Sequence, residues 1–291
     1  MKFFYFWFIF FIVLFSILTF VLYRQKKAKY LRDQRKNEAK EKALREHEER
    51  EKEFERVKKQ REEYIKNKRT EFKNIVDSIP LFEISVKNEK HNRNQEINII
   101  DKEFPNINNK TPIKKLKDYV AVDVETTGLK TGGNDIIQLS AVKYKDFKAV
   151  EAFNTLIKPR NHIPKEASEI NGITDDMVED APTFAQIIDS FEVFIEQFPL
   201  VAHNAPFDTK HLYVNGMASV LDRTVYDTLS LCRKLYKDAV SHKLGDMCEL
   251  NNIFMSNAHD ALYDSYAAGE LFKCIISDIR EIDINDLFSV E

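Results

Sequence analysis

Two acidic residues interrupt an apolar stretch that otherwise has the pattern of a buried β-strand. The sequence YVAVDVETTGL, residues 119–129, places Asp123 and Glu125 two positions apart, so both side chains point to the same face of a strand. A buried carboxylate without a partner costs several kcal/mol or takes up a proton. The pair therefore needs a cationic partner, and that partner determines the chemistry of the site.

Two more acidic residues lie next to or inside apolar elements of the C-terminal half. Asp208 follows the apolar run LVAHN at the start of a predicted helix, and Asp264 lies within the sequence ALYDSYAAGELF. Taken alone, Asp208 is explained by the helix dipole and Asp264 by a polar helix face. If all four carboxylates converge, their repulsion requires divalent cations, and hard oxygen ligands suit Mg²⁺ or Mn²⁺.

The elements that would position these acids are strands followed by helices. Strand-like runs lie at residues 119–125, 135–144 and 149–159, and the short turns between them favour antiparallel neighbours. A helix with Thr183 as its N-cap, a further apolar strand before Asp208 and several more helices follow. We therefore predict a mixed α/β sheet flanked by helices, with the site at the C-terminal end of the first strand.

Three motifs, taken together, resemble a known enzyme family. DVETTGL (123–129), HNAPFD (203–208) and HDALYD (259–264) are similar to the exonuclease motifs of the DEDD superfamily. The DEDDh branch, which includes the proofreading epsilon subunit of bacterial replicative polymerases, fits better than its sister branch. That branch has Tyr four residues before the last Asp, where this chain has Asp260. The resemblance covers about residues 117–280 and implies an RNase H-like fold, two divalent ions and release of nucleoside monophosphates.

The resemblance also assigns roles to individual residues. It makes Asp123, Glu125, Asp208 and Asp264 the metal ligands and His259 the general base. In such sites two ions roughly 3.5–4 Å apart clamp the attacking and leaving oxygens at phosphorus. An imidazole can take a proton from the attacking water at neutral pH. The sequence thus predicts a metal-dependent 3′–5′ exonuclease that hydrolyses terminal phosphodiesters of single-stranded DNA or RNA.

The spacing of two site residues restricts their local structure. On an ideal helix His259 and Asp264 lie about 140° apart, because each residue turns the helix by about 100°. They cannot both face one site if both are helical. We therefore predict that His259 lies in the loop or first turn before the helix that carries Asp264.

Six residues next to the acids are candidates for substrate binding: Thr126, Thr127, Gly128, Leu129, Asn204 and Phe207. Residues 126–128 form a turn whose backbone N–H groups are expected to hold the terminal 3′-OH or a phosphate. Leu129 and Phe207 either wedge against the last base or belong to the core. His203 is expected to support the sheet, while Asn204 fits either a structural or a binding role.

Two positions depart from the family pattern. Residues 138–140 read Gln-Leu-Ser where the family often has Glu-Ile-Gly, and Ser265 stands where Ala is usual. We expect neither change to touch the chemistry, and we expect Gln138 to affect only the packing around it.

The N-terminal segment has the pattern of a membrane anchor. Residues 3–23 carry no charge, and about 20 apolar residues suffice to span a bilayer. A signal peptide would have a shorter apolar region and a cleavage site, and a buried core helix is rarely apolar all round. Lys and Arg are concentrated just after this segment, which predicts a single-pass protein with its N-terminus outside and its catalytic domain cytoplasmic. The three separated cysteines are typical of a reducing compartment.

A charged region and a linker separate this segment from the predicted exonuclease domain, residues 117–291. Residues 24–77 predict a charged helical spacer in which acid–base pairs at helical spacing recur. Their sparse apolar residues favour a lone helix over a coiled coil. Residues 78–116 predict a linker rich in Asn and Pro, with two apolar patches, LFEISV and INII, that can dock on the domain.

Two rival functions fit the same chain. One is a membrane-bound scaffold whose inactive nuclease fold binds nucleic acid or a partner, but all five predicted chemical residues are present. The other is a proofreading subunit bound to a polymerase, against which the predicted anchor argues. The partners expected are single-stranded 3′ ends and, through residues 3–23, a membrane.

Overall fold

We describe the protein from a computed structural model. The structure describes residues 2–87, 113–130, 133–255 and 259–288. Within its helices, the side chains of residues 2–18, of several residues between 28 and 48, and of 282–288 lie outside the described part. The chain divides into two compact units, residues 1–66 and residues 67–291.

The first unit is formed by a single long helix, α1 (Lys2–Asp77), whose last turns belong to the second unit. The predicted anchor and charged spacer are therefore parts of one helix. The anchor, residues 3–23, falls mostly on residues whose side chains lie outside the described part. Among the residues that the structure does describe, no helix combines the length and the apolar character needed to cross a bilayer.

The second unit is built on a mixed sheet of five strands: β1 (Tyr119–Thr126), β2 (Ile136–Lys145), β3 (Lys148–Leu156), β4 (Leu200–Ala202) and β5 (Val225–Asp227). Their order is β3-β2-β1-β4-β5. The first three pair antiparallel, whereas β4 runs parallel to β1 and β5 parallel to β4. The predicted mixed α/β sheet is confirmed, but β5, only three residues long, was not predicted.

The helices of this unit are α2 (Lys165–Asn171), α3 (Asp175–Val178), α4 (Phe184–Ile195), α5 (Ala205–Val214), α6 (Thr228–Leu235), α7 (Leu244–Leu250) and α8 (Ala261–Phe288). The predicted N-cap of α4 is confirmed: Gln186 accepts a hydrogen bond from the Thr183 backbone N–H at 2.8 Å. This bond is part of a capping box between Thr183 and Gln186, and it satisfies a backbone donor at the start of the helix. Helices α2 and α3 were not among the helices that the sequence predicted.

The alternation of β1 side chains divides the core between the two sheet faces. Val120, Val122 and Val124 belong to the cluster that includes α4 and α5. Tyr119 and Ala121 belong to the cluster on the other face, which includes α8. Because side chains repeat every second residue along a strand, the acids at positions 123 and 125 continue the face that α8 covers.

Two buried tyrosines hold α8 against the sheet. The Tyr119 hydroxyl donates to the Gly269 carbonyl at 2.9 Å, and the Tyr144 hydroxyl donates to the Tyr266 carbonyl at 3.0 Å. Gly269 is required by this close approach, since a Cβ there would lie 2.3 Å from the Tyr144 ring. These contacts fix the distance between β1 and the helix that carries Asp264.

The end of α1 packs into the second unit. Phe72 and Val76 are buried, and the Phe72 ring makes an edge contact with Tyr266 at 5.4 Å between centroids. Asp77 accepts a hydrogen bond from the Tyr263 hydroxyl at 2.9 Å. The last turns of the predicted spacer are thus part of the core around α8.

Residues 80–87, which we call the strap, then run beside β3. Phe82 N donates to Ala152 O at 2.7 Å, and Ala152 N donates to Pro80 O at 2.8 Å. Further along, Ser85 N donates to Ser190 Oγ on α4 at 3.0 Å. The strap contains the first apolar patch of the predicted linker, which does dock on the domain. The second patch, residues 97–100, lies outside the described residues.

Candidate active site

The first two acids lie at the C-terminal end of β1, on the face toward α8. Asp123 and Glu125 are each half-buried between fully or nearly fully buried neighbours. Their Cα partners on β2 are Ser140 and Gln138. Strand geometry therefore places the two carboxylates side by side, as predicted.

Asp208 reaches the same place from α5. It lies in the first turn of this helix and is 2% exposed, and its Oδ1 accepts a hydrogen bond from the Val124 backbone N–H at 3.2 Å. The β1–β4 pairing covers only Val120 and Ala121, and β4 ends at Ala202. Asp208 thus bonds to the strand beyond the end of β4, between the positions of the first two acids.

Asp264 and His259 come from the start of α8. Asp264 lies in the first turn of the helix, and its Oδ2 accepts a hydrogen bond from the His259 backbone N–H at 3.1 Å. His259 precedes the helix and has a φ of 72°. The prediction that His259 lies outside the helix is confirmed, and the left-handed backbone turns this residue back toward Asp264.

These elements bring a histidine and two carboxylates into ligand distance of one another. One ligand atom each of Glu125, His259 and Asp264 lies within 4.8 Å of the other two. Asp123 and Asp208 are close enough to this group for their charges to interact with it. All five residues predicted to carry the chemistry therefore gather at one end of the sheet.

Burial raises the pKa values of all four carboxyl groups, and neighbouring negative charges add to this effect. For Asp123 burial is the largest cause, followed by the negative charges of Asp208, Asp264 and Glu125. Burial also raises the pKa of Asp208, against two backbone hydrogen bonds that lower it. Burial raises the pKa of Glu125 to about 7 and that of Asp264 to about 6. Proton uptake is one way to relieve this repulsion, and a bound cation is another.

The donor set fits divalent cations. Oδ1 of Asp264 is buried and has no hydrogen-bond partner within the described residues, although buried polar atoms are nearly always satisfied. Four carboxylates and an imidazole provide hard oxygen ligands and one nitrogen ligand. A cation bound by these groups would neutralise their like charges.

Comparison with known proteins assigns this fold to a family. The model of the exonuclease family RNase_T matches residues 120–272, which is just over half of the chain. The chain belongs to the RNase_T exonuclease family. Its second unit is accordingly an exonuclease domain with an RNase H-like fold, as the motif resemblance implied.

Curated relatives share the exonuclease domain but are much longer proteins. The chain is 36% identical over 193 residues to DNA polymerase III PolC-type of Halalkalibacterium halodurans, covering 65% of this chain and 14% of the relative. It is 37% identical over 166 residues to the Bacillus cereus PolC-type polymerase, covering 56% of this chain and 12% of the relative. The chain therefore spans about one seventh or less of the length of these relatives.

A solved structure of Exonuclease X in complex with 5′ overhanging duplex DNA is also similar. It is 26% identical with a TM-score of 0.45, and the match covers 55% of this chain and 91% of that chain.

The turn at residues 126–128 of the exonuclease is held by its own hydrogen bonds. Thr126 Oγ1 donates to Gly128 O at 2.9 Å. The Thr127 backbone N–H donates to Asp135 O at 2.9 Å, and Thr127 Oγ1 accepts from Asp135 N at 2.9 Å. The Thr127 N–H is therefore used within the fold, and the expectation that backbone N–H groups of residues 126–128 hold substrate stays a prediction. The bond from Thr127 closes the turn between β1 and β2.

The other residues predicted to bind substrate differ in exposure. Leu129, which follows the turn after β1, is 84% exposed, so its side chain is available to a ligand. Phe207 is partly buried against the core, and its ring packs at a tilt of 50° against the His211 ring, with 4.6 Å between the ring centroids. The Asn204 side chain is exposed, while its backbone N–H donates to Asp227 at 2.9 Å. The supporting role predicted for His203 is confirmed by hydrogen-bond contacts at both ring nitrogens, with Thr228 and His242.

Several supporting residues were missed by sequence reasoning. Asn171, at the end of α2, donates a hydrogen bond from Nδ2 to the carbonyl of Thr126, the residue after Glu125, at 3.5 Å, and its amide lowers the pKa of Glu125 against the effect of burial. Asp227 caps α6 and also accepts from the first backbone N–H groups of α5. Asp227 precedes the helical run TLSLCRKL, which is an N-cap signal. Asn171 carries no comparable signal, because only the fold brings α2 beside β1.

Proposed function

We propose that this protein is a metal-dependent 3′–5′ exonuclease of the DEDDh type, which hydrolyses terminal phosphodiesters of single-stranded DNA or RNA to nucleoside monophosphates. The observation that carries the proposal is the gathering of Glu125, Asp264 and His259 within 4.8 Å of one another, with Asp123 and Asp208 near enough for their charges to interact with this group. Membership of an exonuclease family supports the reaction class.

In this proposal Asp123, Glu125, Asp208 and Asp264 hold two divalent cations, Mg²⁺ or Mn²⁺. When bound, such ions neutralise the charge that develops on the phosphate oxygens during an in-line displacement. The chain holds the carboxylates in place beforehand: strand alternation aligns the first two, and the hydrogen bond from Val124 fixes Asp208. Preorganised charges of this kind cost no rearrangement at the moment of reaction.

His259 acts as the general base. A ring nitrogen of His259 lies within 4.8 Å of carboxylate oxygens of Glu125 and Asp264, so a water held by these groups is within its reach. The imidazole removes a proton from that water as the oxygen attacks phosphorus. His259 is exposed and stands outside α8, which lets its ring adjust to the substrate.

The substrate enters as a single-stranded 3′ end. The turn at residues 126–128 directly follows Glu125 in the chain, and the side chains of Leu129 and Asn204 are exposed to a ligand. We propose that the partly buried ring of Phe207 contacts the last base of the substrate. Bases stack on apolar and aromatic side chains without sequence preference. The PolC-type relatives are DNA polymerases. Single-stranded DNA is therefore the first substrate to test, and RNA is the second.

We further propose that residues 3–23 tether the exonuclease to a membrane, with the catalytic domain in the cytoplasm. This part rests on the sequence: an uncharged apolar stretch followed by a strongly basic one. The chain as a whole has a net charge of −3, and residues 24–73 have +8, so the remaining residues together have −11. A remainder this acidic disfavours binding of nucleic acid through a broad basic surface.

The test is digestion of labelled oligonucleotides by the full-length chain. Single-stranded DNA and RNA, labelled at either the 3′ or the 5′ end, are incubated with Mg²⁺, Mn²⁺ or EDTA. The proposal predicts metal-dependent release of mononucleotides from the 3′ end. Degradation that starts from the 5′ end, or that continues in EDTA, contradicts it.

Two substitutions assign the reaction to this site. Asp208→Asn and His259→Asn should abolish or strongly reduce release, whereas Asp238→Asn, an exposed acid outside the site, should leave it intact. A wild-type chain that binds the oligonucleotide but never cleaves it would favour the inactive scaffold. Sedimentation with lipid vesicles, with and without residues 3–23, tests the tether separately.

A further inference from the structure

Gln138 occupies a buried position next to the candidate active site. It is 7% exposed and lies in β2 directly opposite Glu125, its Cα partner on β1. Its side chain extends from the sheet to the start of α8. The family resemblance marked this position as a departure, because Glu is frequent there, and predicted no effect on the chemistry.

The Gln138 amide uses both of its ends. Oε1 accepts a hydrogen bond from the Ala261 backbone N–H at 3.3 Å. Nε2 donates to Oδ1 of Asp260 at 3.4 Å and to Oδ1 of Asn154 at 3.1 Å. Asn154 is in turn held by the Ser140 hydroxyl at 2.7 Å. The amide is therefore oriented by the sheet before it meets the helix.

Two of the residues that Gln138 contacts, Asp260 and Ala261, directly follow His259 in the chain. Asp260 follows His259 and caps α8, since its Oδ1 also accepts from Leu262 N at 3.1 Å. Ala261 is the first residue of the helix. His259 itself has a left-handed backbone and donates its N–H to Asp264. A shift of residues 260 and 261 would consequently move the imidazole and the carboxylate together.

We propose that Gln138 is a positioning residue that fixes His259 and Asp264 over the carboxylates of β1, an inference that rests on the proposed exonuclease function. The position requires a group that donates on one side and accepts on the other. A carboxylate can accept from Ala261 N but offers no hydrogen to Asp260, whose own oxygen would then face a second negative charge. The amide at this position is thus matched to the acid at position 260.

A reversal of the hydrogen bond tests this pairing. Gln138→Glu removes the donor, and Asp260→Asn supplies a new donor on the other side, so the double variant Q138E/D260N restores one donor and one acceptor. Gln138 Nε2 and Leu262 N both donate to the same oxygen, Oδ1 of Asp260, so the amide introduced by Asp260→Asn has to turn its nitrogen toward position 138 and its oxygen toward Leu262 N. The control is Gln186→Glu, the same amide-to-carboxylate change on α4, where Gln186 bonds to Thr183 and Lys87.

In the full-length chain we expect Q138E to lower kcat by about 10- to 100-fold with little change in KM, because a hydrogen bond to a charged group is lost and the reacting groups move. The double variant should recover kcat to within about threefold of wild type, as coupled pairs behave. Q186E should leave kcat unchanged. If Gln138 had a purely structural role, Q138E would lower the thermal stability, and the double variant would not recover kcat.

Hydrogen exchange gives a readout that does not depend on activity. The amides of residues 261–264 should exchange faster in Q138E than in wild type, and the double variant should restore their protection. An inactive wild-type chain would overturn the exonuclease proposal. The exchange pattern would still test the contact of Gln138 with Asp260 and Ala261, because it does not depend on activity. Unchanged exchange in Q138E, or a double variant as impaired as Q138E, would overturn the positioning role.

Discussion

The Asp208 side chain bonds to the backbone of Val124, the residue between Asp123 and Glu125 on β1. A carboxylate proposed as a metal ligand is thus also the hydrogen-bond acceptor that ties α5 to the central strand. These two roles depend on different properties of the group: the metal requires its charge, whereas the backbone N–H requires only an oxygen.

Substitutions of Asp208 can separate the two roles. Asp208→Asn keeps the oxygen for Val124 N but loses the charge, so we expect activity to fall by about 10²- to 10³-fold or more, while the metal-free fold at neutral pH is at least as stable as wild type because a buried like charge is removed. Asp208→Ala also leaves the buried Val124 N–H unpaired, which should reduce the free energy of unfolding by about 1–3 kcal/mol. Denaturant titration in EDTA measures this difference. Equal stability of the two variants would show that the hydrogen bond contributes nothing.

The acid cluster predicts how metal-free stability depends on pH. The folded-state pKa values of Glu125 and Asp264 are raised to about 7 and about 6, whereas unfolded acids titrate near about 4. Between these limits the folded chain binds more protons than the unfolded chain. These groups therefore stabilise the fold at low pH, and this contribution is lost as pH rises from about 4 to about 7.

Metal addition should reverse that loss, because cations bind ionised carboxylates. We expect Mg²⁺ to raise Tm more at about pH 8 than at about pH 5. Thermal scans with EDTA or Mg²⁺ across this range provide the measurement. Glu125→Gln, which cannot ionise, should flatten the dependence seen in EDTA. A metal effect that is the same at both pH values would contradict a carboxylate site.

His259 is expected to affect the rate and not the assembly of the site. His259→Asn should lower kcat by about 10²- to 10⁴-fold, the usual contribution of a general base, while metal binding by the carboxylates remains. Asn is the suitable replacement because it tolerates the positive φ of this position. Mn²⁺ binding measured by calorimetry, beside single-turnover cleavage, separates the two effects. Loss of metal binding in this variant would reassign His259 as a ligand.

Packing of α1 against α8 predicts that the exonuclease domain begins before residue 78. Phe72 is 5% exposed and contacts Tyr263 and Tyr266, so Phe72→Ala should cost about 3–5 kcal/mol in the free energy of unfolding. The matched control is Phe54→Ala, because Phe54 lies in the same helix and is 68% exposed. That change should stay within about 0.5 kcal/mol of wild type. Similar losses for both variants in denaturant titration would mean that this packing is not specific.

Much of the fold could be predicted from local pattern. Apolar runs bounded by short turns identified β1, β2 and β3, and Thr183 marked the start of α4. The angle between positions 259 and 264 on a helix placed His259 outside α8 correctly, because helical geometry leaves no alternative. The four acids could be grouped because each lies at the edge or inside of an apolar element.

Contacts between distant segments could not be predicted in this way. Gln138 and Ala261 are 123 positions apart, and nothing in either local sequence indicates that they meet. Phe72 and Asp77 look like members of a solvated charged helix, and only the fold shows that they face α8. The short elements β5, α2 and α3 were missed because three to seven residues give too little periodicity.

The strap has a consequence for how the exonuclease domain can be isolated. β3 is the outermost strand on its side of the sheet, and residues 80 and 82 occupy backbone groups of Ala152 that would otherwise be open. Unpaired strand edges template association with other chains. A protein trimmed to the family-matched residues would expose such an edge and aggregate, whereas one that retains residues 67–87 would stay monodisperse.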